Sequence, residues 1–270
     1  MFFDSHCHLD HPRLLPRLPG LIADAEAAGV SAFLVPGVDP GGWQGIAALC
    51  RTFPQIVPAF GVHPMHAPLL TPSALSELRR LSRFAAAIGE IGLDYALPTS
   101  CRELQKRAFR AQLTVAFEAG LPVLIHCRQA FGDLLAILKE ERVERVGGVL
   151  HAFSGSLESA RACVRLGLHL SLAGSVTYAN ARRPPAVAAW VPLERLLLET
   201  DAPDLAPEPY RGGVNLPAFL LATAGRVAAI RGLPLEELAR ATTANAARLF
   251  RLGACPGNPD APLPHPPAAV

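Results

Sequence analysis

Five short segments of the chain carry residues able to hold a metal ion. The first is His6-Cys7-His8. Alternate side chains of an extended strand share a face, so His6 and His8 project together and Cys7 projects away. Two imidazoles on one side form a clamp for a divalent cation. Glu90 stands in the otherwise apolar run IGEIGLD, His126 in VLIHCR, His151 in GVLHAF and Asp201 in LLLETDAP. A buried carboxylate without a partner is costly, so Glu90 and Asp201 each require a cation or hydrogen-bond donors. Singly, each residue also reads as a satisfied core histidine or a paired acid. Four histidines and two carboxylates converging on one place are better explained by divalent metal. Six side chains exceed what one tetrahedral ion needs and suit two ions sharing a carboxylate. By position, His6, His8 and Asp201 hold one ion, His126 and His151 hold the other, and Glu90 bridges them. Mixed nitrogen and oxygen donors suit Zn, Mn or Fe, with Mg also compatible.

These residues need elements to position them. Apolar runs recur at 1–7, 31–38, 56–62, 85–94, 121–127, 147–155, 168–174 and 194–203. Most are continuous, as expected of parallel strands buried on both faces. The stretches between them favour helix, most clearly 102–119, which stops at Gly120. Ser156 begins another helix, and 217–231 and 234–250 predict two more after the last strand. Eight strands with intervening helices in about 250 residues is the arithmetic of an α/β (β/α)8 TIM barrel. The rival, a doubly wound open sheet, lacks its GxGxxG after the first strand. In a barrel, polar residues at strand C-termini lie at the catalytic mouth, so a binuclear metal site is expected there. Residues 1–251 form the expected barrel; the tail 252–270, with six prolines, reads as an extended appendage.

Composition narrows the chemistry. The chain has 270 residues, 50% of them hydrophobic and 18% charged, with a formal net charge of +2. Disorder is excluded for most of its length, and the net charge does not announce nucleic-acid binding, nor does it exclude a local basic cleft. Only Lys106 and Lys139 are lysines, and both fall in helical stretches. A carbamylated strand lysine therefore cannot bridge the metals, and a Schiff-base aldolase is excluded. Six cysteines form no CxxC pair and the first residues lack a signal-peptide pattern, so a cytoplasmic location is expected. No apolar run reaches the ~18 residues of a spanning helix, so no membrane partner is expected.

The blocks DSHCHLD, GVHP, GEIGLDY, PVLIHCR, HAFSGS, LLLETDAP and TTANAARLF resemble, in order over residues 1–250, the signature blocks of the TatD family of metal-dependent hydrolases and DNases. The resemblance implies a TIM barrel of the amidohydrolase-like superfamily with two divalent cations. It carries over His6, His8, Glu90, His126, His151 and Asp201 as ligands. It also implies a 3′–5′ deoxyribonuclease acting on DNA ends, so nucleic acid is the expected partner. Some related proteins remove D-amino acids from tRNA, which makes an ester or amide hydrolase the alternative. A non-catalytic barrel is disfavoured because all six ligands are present. Two departures concern the substrate side. The loop usually resembling RGKRNEP reads Arg211-Gly212-Gly213-Val214-Asn215-Leu216-Pro217 here, and Ala152 replaces a cysteine beside His151.

A two-ion site lowers the pKa of a bound water toward neutrality. Asp201, touching ion and water together, is the expected general base, and Glu90 shares in catalysis by positioning the ions. His63 of GVHP is expected to contact substrate phosphate or orient the water, or else to cap a turn. Arg128, two residues after His126, and Arg211 are expected phosphate contacts. The alternative for Arg128 is a salt bridge to Glu90 or Asp94. Asp4 and Asp10 flank the HxH pair, where either could orient an imidazole. Phe153 could stack on a base but reads more simply as core.

Overall fold

The computed structural model describes residues 1–97 and 101–252; the proline-rich tail from 253 onward lies outside the described residues. The apolar runs form eight strands: β1 Phe2–Asp4, β2 Val30–Pro36, β3 Ile56–Phe60, β4 Ala87–Asp94, β5 Val123–Arg128, β6 Gly148–Leu150, β7 His169–Leu172 and β8 Leu196–Leu198. Among the described residues nine α-helices accompany them: α1 Leu18–Ala27, α2 Trp43–Thr52, α3 Pro72–Leu81, α4 Arg102–Ala119, α5 Phe131–Glu140, α6 Leu157–Arg165, α7 Arg183–Trp190, α8 Leu220–Arg231 and α9 Leu235–Leu249. Every neighbouring strand pair is parallel and the sheet order follows the chain order. β3 and β4 are buried along their whole length. Helices outside and packed side chains inside leave their backbones no solvent face, which is why these runs do not alternate apolar with polar.

Strands one, six and eight are shorter than their apolar runs. His6 and His8 lie just past β1, His151 just past β6, and Asp201 three residues past β8. The chain nevertheless remains tied there. Ser5 N donates to Leu198 O (3.0 Å), Asp201 N to His6 O (2.9 Å) and His8 N to Ala202 O (2.9 Å). These bonds bring the first strand back beside the last at the mouth of the barrel. The parallel, right-handed βα repeat places every one of these extensions at the same end.

α4 does more than cover the sheet. Two glutamines a pair of turns apart on its buried face clasp backbone at the mouth. Gln105 accepts from Asp94 N (2.8 Å) and donates to Asp94 O (2.8 Å). Gln112 accepts from Val62 N (2.7 Å) and donates to Val62 O (3.0 Å). Each satisfies a backbone pair that strand pairing leaves open. Gly92 sets the closeness of β4 to β5: its φ is +144°, and a Cβ there would stand 2.0 Å from His126 O. A side chain would force apart the strands that carry Glu90 and His126.

Among the described residues no single helix is long and apolar enough to cross a membrane, and the five described cysteines are free.

Candidate metal centre

Glu90 is the hub of the mouth. It points inward from the middle of β4 and is 2% exposed. Its two oxygens face different sets of rings. Oε2 lies 3.4 Å from His6 Nε2 and 3.9 Å from His8 Nε2. Oε1 lies 2.9 Å from His151 Nε2, 3.0 Å from His126 Nδ1 and 3.5 Å from His63 Nε2. Asp201 Oδ1 completes the first set at 3.6 Å from Nε2 of both His6 and His8. The Nε2 atoms of His6 and His8 are 3.1 Å apart. The His6 ring stacks on His151 at 3.9 Å between centroids, joining the two halves. All six residues singled out by spacing therefore meet at one place.

Local backbone explains how they get there. Cys7 is fully buried on the opposite side and its N–H is held by Leu34 O (3.0 Å). Asp201 adopts a left-handed φ of 57°. Aspartate tolerates this region better than most residues, and the strained turn aims its carboxylate back over the barrel. Asn215 is buried and donates to Thr200 O and Asp204 O, both at 2.7 Å, so it pins the loop on either side of Asp201. Asp4 does not orient an imidazole. It accepts from His6 N (3.2 Å), Thr200 N (3.0 Å) and Thr200 Oγ1 (2.5 Å), so it holds the two backbone segments together. Burial pushes its carboxyl up to about 7 against those hydrogen bonds.

The electrostatics are those of anions enclosed by imidazoles. Burial would raise the Glu90 carboxyl, but the rings of His151, His63 and His6 hold it well below its usual range. Asp201 is likewise kept low, against burial, by its contact with His8 and by the rings of His151 and His6. Burial and the neighbouring His151 lower His6. His8 resists the lowering effect of burial and rises to about 9 through Asp201 and Glu90. His126 and His151 are raised in the same way by their carboxylate neighbours, the latter strongly.

The donor set fits divalent cations. Ionised carboxylate oxygens and imidazole nitrogens turn toward one another with no lysine or arginine among them to balance the acids. Three overlapping groups have donor atoms within 4.8 Å of one another: His6, His8 and Glu90; His63, Glu90 and His126; and His6, His151 and Glu199. Two members of these groups are better spent elsewhere. His63 Nδ1 accepts from Met65 N (3.1 Å), so in the neutral ring Nε2 carries the proton and cannot bind metal. Burial lowers His63 to about 3, so the ring is neutral. Glu199 accepts from Ala152 N (2.5 Å), Ala152 itself having a left-handed φ of 41°. Nothing in LLLETDAP marks Glu199 out, because an acid beside a threonine carries no pattern of its own.

The residues expected at the substrate side are less convergent. Arg128 is exposed at the end of β5 and makes no ion pair among the described residues; Asp94 pairs instead with His126 Nε2 (3.2 Å). Arg211 lies over the Tyr178 ring (4.0 Å to the centroid) and 3.6 Å from Glu208. Phe153 is core, 2% exposed and edge-on to Phe131. Lys106 pairs with Asp133 (2.7 Å) and Lys139 lies in α5, so both lysines are on helices.

A parallel eight-stranded barrel whose mouth gathers imidazoles around a buried carboxylate is the architecture of a metal-dependent hydrolase. The chain belongs to the TatD family: the family described as TatD related DNase matches residues 3–251. It is 40% identical over 254 residues to the uncharacterized metal-dependent hydrolase YabD of Bacillus subtilis, covering 93% of this chain and all of that one. It is 39% identical over 256 residues to the uncharacterized metal-dependent hydrolase YcfH of Escherichia coli, covering 93% and 96%. Among solved structures it is similar to YjjV, a TatD homologue from Escherichia coli, at 32% identity and a TM-score of 0.89, covering 93% of this chain and 98% of that one.

Proposed function

We propose that this metal-dependent hydrolase is a two-metal phosphodiesterase acting on DNA 3′ ends. The observation that carries the reading is the division of Glu90: one oxygen faces His6 and His8, the other His126 and His151. A carboxylate so placed would serve both of two ions, with Asp201 completing the first set. Zn, Mn, Fe and Mg all suit these donors. The family described as TatD related DNase supports the DNA substrate.

Two bound cations supply an activated water and neutralise charge building on phosphoryl oxygens. The residues do the rest. Asp201, ionised and at the junction of His6 and His8, takes the proton from the attacking water. Glu90 holds its place between the two sets of rings. His63, neutral and with its Nε2–H turned into the centre, donates to a phosphoryl oxygen. Arg128, without an ion pair among the described residues, takes up a further phosphate oxygen. Arg211 contributes by leaving its stack on Tyr178 for the substrate.

The second reading, hydrolysis of an ester or amide such as an aminoacyl-tRNA, rests on the loop after β8. Arg211 is already engaged there, and Val214 and Leu216 stand in place of a basic residue and an acid. A turnover panel separates the two. Metal-loaded protein is offered 3′-ended single-stranded DNA, aminoacyl-tRNA and aryl phosphodiesters, with Asp201→Asn as control. DNA shortened from its 3′ end by the native protein, and ~10²–10⁴-fold more slowly by the variant, is expected. Intact DNA beside a cleaved ester sinks the nuclease reading.

A further inference from the structure

Two buried carboxylates at the mouth, Asp94 and Glu199, belong to neither proposed ligand set. Asp94 is 3% exposed and Glu199 is fully buried. Each is built the same way. One side is occupied by a backbone N–H: Asp94 Oδ1 accepts from Ala96 N (2.9 Å), and Glu199 Oε1 from Ala152 N (2.5 Å). Each also meets a histidine of the second set, Asp94 through its other oxygen and Glu199 through the same Oε1. Asp94 Oδ2 lies 3.2 Å from His126 Nε2. Glu199 Oε1 lies 3.5 Å from His151 Nδ1, a buried atom with no other partner.

A neutral imidazole has one N–H and one lone pair, and an ionised carboxylate can only accept. Each ring has an acid at both nitrogens, Glu90 in front and Asp94 or Glu199 behind; with a cation held between the rings and Glu90, the front nitrogen would give its lone pair to the ion and the rear nitrogen its N–H to the acid behind. For His126 the front nitrogen is Nδ1; for His151 it is Nε2. These are the two atoms that converge on Glu90 Oε1, at 3.0 Å and 2.9 Å. His126 and His151 thus present opposite ring nitrogens to one oxygen, and each ring is backed by an acid. The first set lacks this device. Among the described residues no carboxylate pairs with Nδ1 of His6 or His8, and His6 Nδ1 is buried without a partner.

We infer that Asp94 and Glu199 are positioning residues that set the tautomers of His126 and His151 and so govern the affinity of one half of the centre. The inference rests on the two-ion reading above. A carboxylate behind a ligating histidine raises its basicity and fixes its ring, and its loss weakens metal binding by ~10–100-fold. Because only one half is backed in this way, the loss falls on one ion. An amide in place of either acid can offer N–H to the ring and reverse the tautomer.

The experiment is a zinc titration of metal-stripped protein, with bound zinc counted by elemental analysis. Native protein, Asp94→Asn and Glu199→Gln are compared, and melts of the metal-free forms establish that the variants fold. The native chain is expected to take up two equivalents. Each folded variant keeps one at native affinity and binds the second ~10–100-fold more weakly. Unchanged affinity for both equivalents, or equal weakening of both, overturns the inference. Should the native chain take up fewer than two, the two-ion reading fails on its own. The tautomers are then read directly, as they are if neither variant folds. Histidine ¹⁵N spectra of the zinc-loaded native protein are expected to show His126 protonated on Nε2 and His151 on Nδ1. The reverse tautomers overturn the assignment.

Discussion

At the scale of single residues, tautomer and direction decide roles that residue type leaves open. His63 and His151 both stand within 3.5 Å of Glu90 Oε1. They differ in what their other nitrogen does. His63 Nδ1 accepts a backbone N–H, which makes Nε2 a donor; His151 has acids at both nitrogens, so with a cation at the centre its N–H would turn back to Glu199 and Nε2 would offer a lone pair. His63 is therefore assigned to substrate and His151 to metal. His63→Ala is expected to leave bound metal per chain unchanged while kcat on the cleaved substrate falls ~10²-fold. A variant that lost an equivalent of metal would reverse this assignment. The same reasoning retires Asp4 from ring orientation, since its oxygens are consumed by the His6 and Thr200 backbone and the Thr200 hydroxyl.

At the scale of elements, α4 and the glycine of β4 hold the site to tolerance. Gln112 occupies both backbone groups of Val62, the residue before His63, and Gln105 those of Asp94, the residue behind His126. Replacing Gln112 with leucine keeps the volume but strands a buried N–H and a buried C=O. Each such group costs ~1–3 kcal/mol, so Gln112→Leu should lose ~2–4 kcal/mol of stability in denaturant unfolding. Its kcat should fall as well, because His63 is released with Val62. A loss under ~0.5 kcal/mol, as for an ordinary surface substitution, would show that water or a neighbour takes over the glutamine's role.

At the scale of the whole molecule, the centre acts as a clasp. Its donors come from β1, β4, β5, β6 and β8 or the residues just past them, and the first and last strands meet through bonds that run from Asp4 to His8 on one side and from Leu198 to Ala202 on the other. Anything bound to all of these segments in the folded state stabilises the closed barrel by mass action. A metal at a hundred times its Kd contributes ~2.7 kcal/mol per site. For a chain of this size that corresponds to a shift of ~5–10 °C per site in Tm. Chelation is expected to lower Tm by at least this amount, and re-addition of metal to restore it. An unchanged melt would mean that the cluster holds no ion in solution. On the proposed reading, the small net charge of +2 leaves attraction of DNA to local groups such as Arg128 rather than to the whole surface.

Much of this protein can be read from its sequence because the underlying physics is local or periodic. Continuous apolar runs follow from strands buried on both faces, and eight of them with helices between leave few architectures. The residues that converge at the mouth are legible because ionisable groups are rare in such runs, and because HxH at strand spacing must share a face. The lysines could be dismissed since neither falls in a strand. Other features depend on contacts between residues far apart in the chain. Asp94 read as a partner for Arg128 and was found behind His126, since register between β4 and β5 places it there. Glu199 gained its role only when β8 came beside the turn after β6. Gln105 and Gln112 looked like ordinary members of a helical face until tertiary packing set open backbone groups opposite them. Sequence alone determined which elements form and which residues can bind metal. Tertiary structure decided which nitrogen of each ring faces inward, because that choice is made by a hydrogen-bond partner distant in sequence.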